Sequence, residues 1–219
     1  MSPARRATTM IYRTTMALAI AAVVTAGGAR LMAQGPPRRI ASPPGTSAAE
    51  ILGRHDEREG YVNGKWMEIR YGRPIRRGRD LFGPPDFADA LGDGAPLWRA
   101  GANQTTQLVT EVPIRIEGKT IPAGTHTLFI DLKPNDRWTL VVSDWPAQIT
   151  YDEKNKAALW GAYDYTPAKD VVRAPMKVER LPYAFEQLSC QFLDITDSGG
   201  RLALLWERKL ASVAFSVVR

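Results

Sequence analysis

The residues best placed to do chemistry in this sequence are suited to holding a ligand rather than to breaking a bond. Trp98-Arg99-Ala100-Gly101-Ala102-Asn103-Gln104-Thr105-Thr106 joins an aromatic platform, a guanidinium, two amides and two hydroxyls. Such a mixture lines pockets for polar ligands. It equally builds a self-satisfied loop, with Asn103 in an Asx-turn and Arg99 paired to a carboxylate. Upstream, Arg70, Arg73, Arg76, Arg77 and Arg79 fall within ten residues. Arginine forks pair with carboxylate, sulfate or phosphate, and a solvated basic loop is the competing reading. The candidate binding set is therefore Arg79, Trp98, Arg99, Asn103 and Thr105, for a small polar or anionic ligand. Exposure of Arg99 in a pocket wall would mark binding. Burial beside a carboxylate such as Glu207 or Asp80 would mark a structural role.

Catalytic signatures are missing, and no catalytic residue, metal ligand or cofactor is assigned. Gly118-Lys119-Thr120 resembles the end of a phosphate-binding loop, but Pro113 stands where its first glycine belongs and the segment reads as a hairpin. No serine lies in a Gly-x-Ser-x-Gly elbow. The two histidines are His55 and His126, too few for the usual catalytic zinc site. His126 shares a strand face with Leu128 and Ile130 and is read as a half-buried strand residue, since no nucleophile is placed beside it. Cys190 alternates with Leu188 and Phe192, which predicts a buried, inert thiol. Asp86, Asp89 and Asp93-Gly94 offer oxygen ligands without the spacing of a calcium loop, so they read as a solvated acidic loop.

The elements that must position these residues begin after an export signal. Arg5, Arg6 and Arg13 precede a short apolar run, Met16 to Ala29, and Leu31-Met32-Ala33 puts a small residue before Gln34. That run is too short to span a bilayer comfortably, since this takes ~20 apolar residues. An uncleaved N-terminal anchor is the alternative. The 29 basic and 23 acidic residues give a net charge of +6. Cleavage after residue 33 removes four arginines and leaves +2, which excludes the strongly basic footprint of a nucleic-acid binder. A single cysteine excludes an internal disulfide framework. The expected localisation is periplasmic or secreted, with membrane contact only through the signal segment.

Residues 34–60 are rich in Pro, Gly, Ala and charge and read as a tether, with at most one helical turn at Ala48 to Leu52. Residues 61–219 read as one β domain. Val62-Asn63-Gly64-Lys65 is a strong hairpin signal. Met67, Ile69 and Tyr71 alternate toward one face, as do Trp138, Leu140 and Val142. Further runs cover 106–110, 113–116, 125–131, 171–179, 185–194, 201–207 and 210–218, giving roughly nine short strands punctuated by turns. Leu202 to Trp206 is apolar on both faces and should be central, whereas Arg73 to Asn103 carries little strand grammar. The pattern predicts a mostly β fold, a single antiparallel β-sandwich of jelly-roll type, with a closed barrel as the alternative.

Several segments, in order, resemble the bacterial exported proteins of domain-of-unknown-function family 2911. They are Ser42-Pro43, Ile69 to Pro74, Gly78 to Gly83, Leu97 to Thr106, Ile121 to Leu128, Trp160-Gly161 with Tyr163-Asp164 and Asp170, and Leu205-Trp206-Glu207. The sequence departs at Gln104 and His126, where the resemblance implies Glu and Tyr. The resemblance implies export and one β domain and brings no activity. Three functions stay open: a non-enzymatic envelope binding module, a hydrolase of an envelope substrate using Asp or Glu, and a structural or interaction protein.

Overall fold

The computed structural model describes residues 40–218, so the export segment, residues 1–33, lies outside the described residues. Strand β1 (Pro44–Ile51) forms an antiparallel ladder with β4 (Lys65–Gly72), from Pro44 opposite Gly72 to Ile51 opposite Lys65. This replaces the tether reading from residue 44 onward and the helical turn at Ala48 with strand, while residues 34–39 of the expected tether lie outside the described residues. β1 is an edge strand of small residues, mostly half exposed, so it lacks the apolar alternation that announces β4. Between them, β2 (Arg54–Asp56) pairs with β3 (Gly60–Val62). The chain reverses at Glu57 to Glu59, where Asp56 Oδ1 accepts from the backbone N–H of Arg58 and Glu59 at 2.9 and 3.1 Å. Asn63-Gly64 is therefore no hairpin tip: it joins β3 to β4, which pair with other strands.

Four more strands complete the first sheet: β5 (Thr106–Thr110), β8 (Gly124–Asp131), β9 (Thr139–Ser143) and β10 (Asp170–Pro175). Its order is β1-β4-β5-β8-β9-β10, antiparallel throughout. The second sheet contains β6 (Ile114–Ile116), β7 (Lys119–Ile121), β11 (Lys177–Thr196) and β12 (Gly199–Val217), in the order β11-β12-β6-β7. Glu117 and Gly118 both have positive φ, 46° and 73°, which is the primed two-residue turn favoured between antiparallel strands. Gly118-Lys119-Thr120 thus belongs to a hairpin, as expected. The fold is mostly β and a sandwich, and neither sheet closes into a barrel. β12 is one strand of 19 residues where the sequence suggests two. Its apparent break is Glu207, which adopts φ 51° at an irregularity in the β11–β12 ladder.

The inward faces fill the space between the sheets. Met67, Ile69, Leu108, Leu128, Ile130, Leu140 and Val142 meet Leu188, Cys190, Leu202, Leu204, Trp206 and Phe215 in one buried cluster. Ser47 of β1 donates its hydroxyl proton to the carbonyl of Cys190 in β11, tying together strands of the two sheets. A second buried cluster joins Phe129 of β8 and Val141 of β9 to Leu97, Leu159, Ala162 and Tyr165. Alternation puts Phe129 and Val141 on the outer face of the first sheet, where the segment between β9 and β10 covers them. Full burial of a side chain like Phe129 contributes about 1.5–3 kcal/mol toward holding that segment on the sheet. Among the described residues, helix is confined to α1 (Phe87–Gly92) and a 3-10 turn at Pro167–Lys169, and no helix is long and apolar enough to cross a membrane.

Candidate functional site

Most of the residues expected to bind a ligand are engaged by the fold itself. Trp98 is buried, donates its indole N–H to the Gly101 carbonyl at 3.2 Å and stacks on Trp206 with ring centroids 5.9 Å apart. Arg99 is only 7 % exposed. It donates to the Asn103 carbonyl at 3.0 Å and to Asp93 Oδ2 at 3.4 Å, and its Cζ lies 5.0 Å from the centre of the Tyr163 ring. The carboxylate partner is therefore Asp93, from the C-terminal cap of α1, rather than Glu207 or Asp80. Asn103 takes φ 62° and donates its side-chain amide to the Ser42 carbonyl at 3.2 Å. The buried Thr105 hydroxyl lies 2.9 and 2.8 Å from the carbonyls of Leu159 and Gly161. Trp98, Arg99, Asn103 and Thr105 thus work together, as a buttress. Arg79 is not part of it: its guanidinium donates to the carbonyls of Arg76 and Ile75 within its own turn.

The other sequence candidates resolve in the same way. Arg70 pairs with Glu68 through two bonds of 2.9 and 3.0 Å, and this bonding holds the Glu68 carboxyl below its usual range. Arg73 donates to the Leu188 carbonyl at 3.2 Å. His126 is 4 % exposed, with its ring nitrogens 2.7 Å from Asp144 Oδ1 and 2.9 Å from the Pro122 carbonyl. That arrangement fastens β8 to the start of the covering segment. Burial pushes the Cys190 thiol up to about 12, which keeps the nucleophilic thiolate scarce. Asp93 serves Arg99 and Tyr163, and among the described residues no group of three or more His, Cys, Asp or Glu could hold a metal.

What the buttress supports is a cleft in the covering segment. Gln148 is buried and organises it: its amide nitrogen, with two N–H donors, lies among the carbonyls of Asp152, Asn155 and Ala158 at 3.2, 2.9 and 2.9 Å, and its oxygen accepts from the Asp152 N–H at 2.8 Å. Beside this loop lies a cleft of about 340 Å³ lined by Tyr151, Asp152, Glu153, Lys156, Trp160, Tyr163 and their neighbours. The Tyr151 and Trp160 rings stand 5.9 Å apart, and Tyr151 is exposed. Tyr163 donates its hydroxyl proton to Asp93 at 2.6 Å, so the same carboxylate orients one cleft residue and Arg99 behind it. Lys156 pairs with Asp164 at 2.8 Å, which raises the pKa of the ammonium. A second hollow of about 230 Å³ shares Gln148 with the cleft and is lined by Arg70, Gln104, Gln107, Ile149 and Thr105, the last a residue of the expected binding set. Aromatic faces beside amides, carboxylates and an ammonium suit a ligand with an apolar ring face and many hydroxyls.

The sequence assigns no site to the residues lining the first cleft; Trp160-Gly161 and Tyr163-Asp164 enter only as matches in the family resemblance, and of the second hollow Thr105 and Arg70 are sequence candidates. The available signal is three aromatics, Tyr151, Trp160 and Tyr163, in a polar stretch without strand alternation.

A family model described as protein of unknown function (DUF2911) matches residues 54–215. No curated protein and no solved structure matches the chain.

Proposed function

The chain belongs to that family of unknown function, and on that premise we propose that it is an exported, non-enzymatic binding module for a small polar ligand. The ligand class is polyhydroxylated, of the sugar type, and its site is the cleft of Tyr151, Trp160 and Tyr163. The observation that carries this reading is the Tyr151–Trp160 ring pair in the wall of a cleft already lined by hydrogen-bonding groups. Stacking of a ring face on an aromatic platform, with hydroxyls reaching nearby polar groups, needs no residue to move far. A glycoside hydrolase would need two carboxylates available across the cleft. Of the three that line it, Asp164 is paired with Lys156, and Asp152 Oδ1 accepts from the Lys154 N–H at 3.0 Å.

Trp160 supplies the readout. Titration with glucose, N-acetylglucosamine, maltose and cellobiose, followed by tryptophan fluorescence, should give saturable quenching with at least one sugar. Trp160→Ala and Tyr151→Ala should remove it while leaving the circular dichroism spectrum intact. A flat response to every sugar would sink the assignment, and release of nitrophenol from nitrophenyl glycosides would transfer it to the hydrolase reading.

A further inference from the structure

We propose a second binding site, remote in the sequence from the aromatic cleft, that takes a small multivalent oxyanion of the phosphoryl or sulfuryl type. It begins with the register of β11 and β12, which sets Arg180 directly opposite Lys209. Like charges across an antiparallel ladder repel and destabilise the pair, so this placement calls for an anion. Lys209 has one, since its ammonium lies 2.6 and 2.7 Å from the carboxylate oxygens of Asp136. Arg180 is exposed and has neither a hydrogen bond nor an ion pair among the described residues.

The ladder then irregularly skips from Arg180 to Phe185, and the intervening residues bulge out around Pro182, a residue that sheets tolerate at bulges. Arg208 reaches across and donates to the Pro182 carbonyl. Arg180, Arg208 and Lys209 thereby share one hollow of about 460 Å³ with Arg76, Glu207 and Phe82. The carboxylates on its wall are already engaged. Glu207 accepts from the Leu81 N–H at 3.0 Å and lies 4.0 Å from Arg76, and Asp80 accepts from the Gly83 N–H at 2.9 Å. Arg76 pairs with Glu207 and Lys209 with Asp136, which leaves Arg180 and Arg208 without a carboxylate partner among the described residues, and of these two Arg208 is held by the Pro182 carbonyl. A guanidinium offers five donors in a planar fork that fits two oxygens of one phosphoryl group.

The hollow has an internal reporter. Phe82 lines it and packs against Trp138 and Trp206, with centroid distances of 4.9 and 6.3 Å. Both tryptophans are buried, with indole N–H groups that have no acceptor among the described residues.

The test is a thermal melt with tryptophan fluorescence, using the full mature chain at constant ionic strength. Inorganic pyrophosphate, phosphate and sulfate should each raise the melting temperature above a chloride control, pyrophosphate most. Arg180→Gln should weaken pyrophosphate binding about tenfold or more, the loss expected for one strong charged contact. Without any anion the same variant should melt higher than wild type, because the repulsion across the ladder is gone; a merely structural arginine would give the opposite sign. Trp160→Ala should leave the pyrophosphate response unchanged, which separates this site from the cleft. An equal rise with chloride, or an undiminished response in Arg180→Gln, would overturn the proposal. Binding confined to anionic phospholipid vesicles, with none to soluble pyrophosphate, would overturn it as well.

Discussion

Arg99 occupies the space that a side chain on Gly161 would need. A carbon added at Gly161 would fall 2.7 Å from Cζ and 2.8 Å from Nη1 of the guanidinium, and the glycine holds φ 64°. The buttress and the cleft are thus fitted to each other through a residue with no side chain. Arg99→Ala should cost about 1.5–3 kcal/mol, the range for hydrogen bonds to charged groups. It falls short of a buried ion pair because the Asp93 side chain is 74 % exposed and is solvated once its partner leaves. Gly161→Ala should cost about 1–2 kcal/mol for the left-handed backbone and more for the displaced guanidinium. In the double variant the second part vanishes, so the two losses should be sub-additive by ~0.5–3 kcal/mol. Urea midpoints of the four proteins measure this, and strict additivity would show that Arg99 does not sense position 161.

Trp206 is the core residue whose loss should be felt most. It is 2 % exposed, stacked on Trp98 and edged by Phe82. Trp206→Ala should cost ~3–5 kcal/mol in urea unfolding. Trp206→Phe should cost distinctly less, since the lost N–H has no acceptor among the described residues. A loss below ~1 kcal/mol for the alanine variant would be that of a surface position.

Tyr165 should make the fold sensitive to alkali. Burial, then its hydrogen bonds to Asp170 at 2.8 and 2.7 Å, raise the phenol above its ordinary range. The folded state therefore holds this proton more tightly than the unfolded chain. The resulting stability is complete below the unfolded value of ~10 and is lost as pH rises past it. Urea midpoints between pH 8 and 11 should fall more steeply for wild type than for Tyr165→Phe. Parallel curves would mean that Tyr165 ionises alike in both states.

Export is checked at the N-terminus. The protein recovered from outside the cytoplasm should begin near Gln34, where the small residue Ala33 closes the apolar run. A cytoplasmic chain still starting at Met1 would refute the signal reading and keep the charge at +6.

The sequence made the central strands legible because each buries alternate residues. Met67, Ile69 and Tyr71 in β4 follow the pleat, and so do Leu188 and Cys190 in β11. β1 was hidden because an edge strand of Gly, Thr, Ser and Ala has little apolar surface to alternate. Asn63-Gly64 misled because its local turn preference yielded to pairing with strands farther away. The polar motif at 98–105 was visible as a concentration of donors. Its role was not, because whether Arg99 faces solvent or a neighbouring loop depends on Gly161 and Asp93, which no spacing rule connects to it.

The bond from Ser47 to the Cys190 carbonyl spans a sequence separation of 143 residues, and this governs the order in which the molecule can assemble. A chain delivered N-terminus first presents β1 when β4 is its only near partner and β11 has yet to arrive. Contacts of such long range form slowly, because the loop between them must be closed first. Until the β11–β12 pair arrives, the first sheet stands with its inner apolar face uncovered. That half-built stage, rather than the finished sandwich, is where the chain is most exposed to aggregation and most in need of a chaperone.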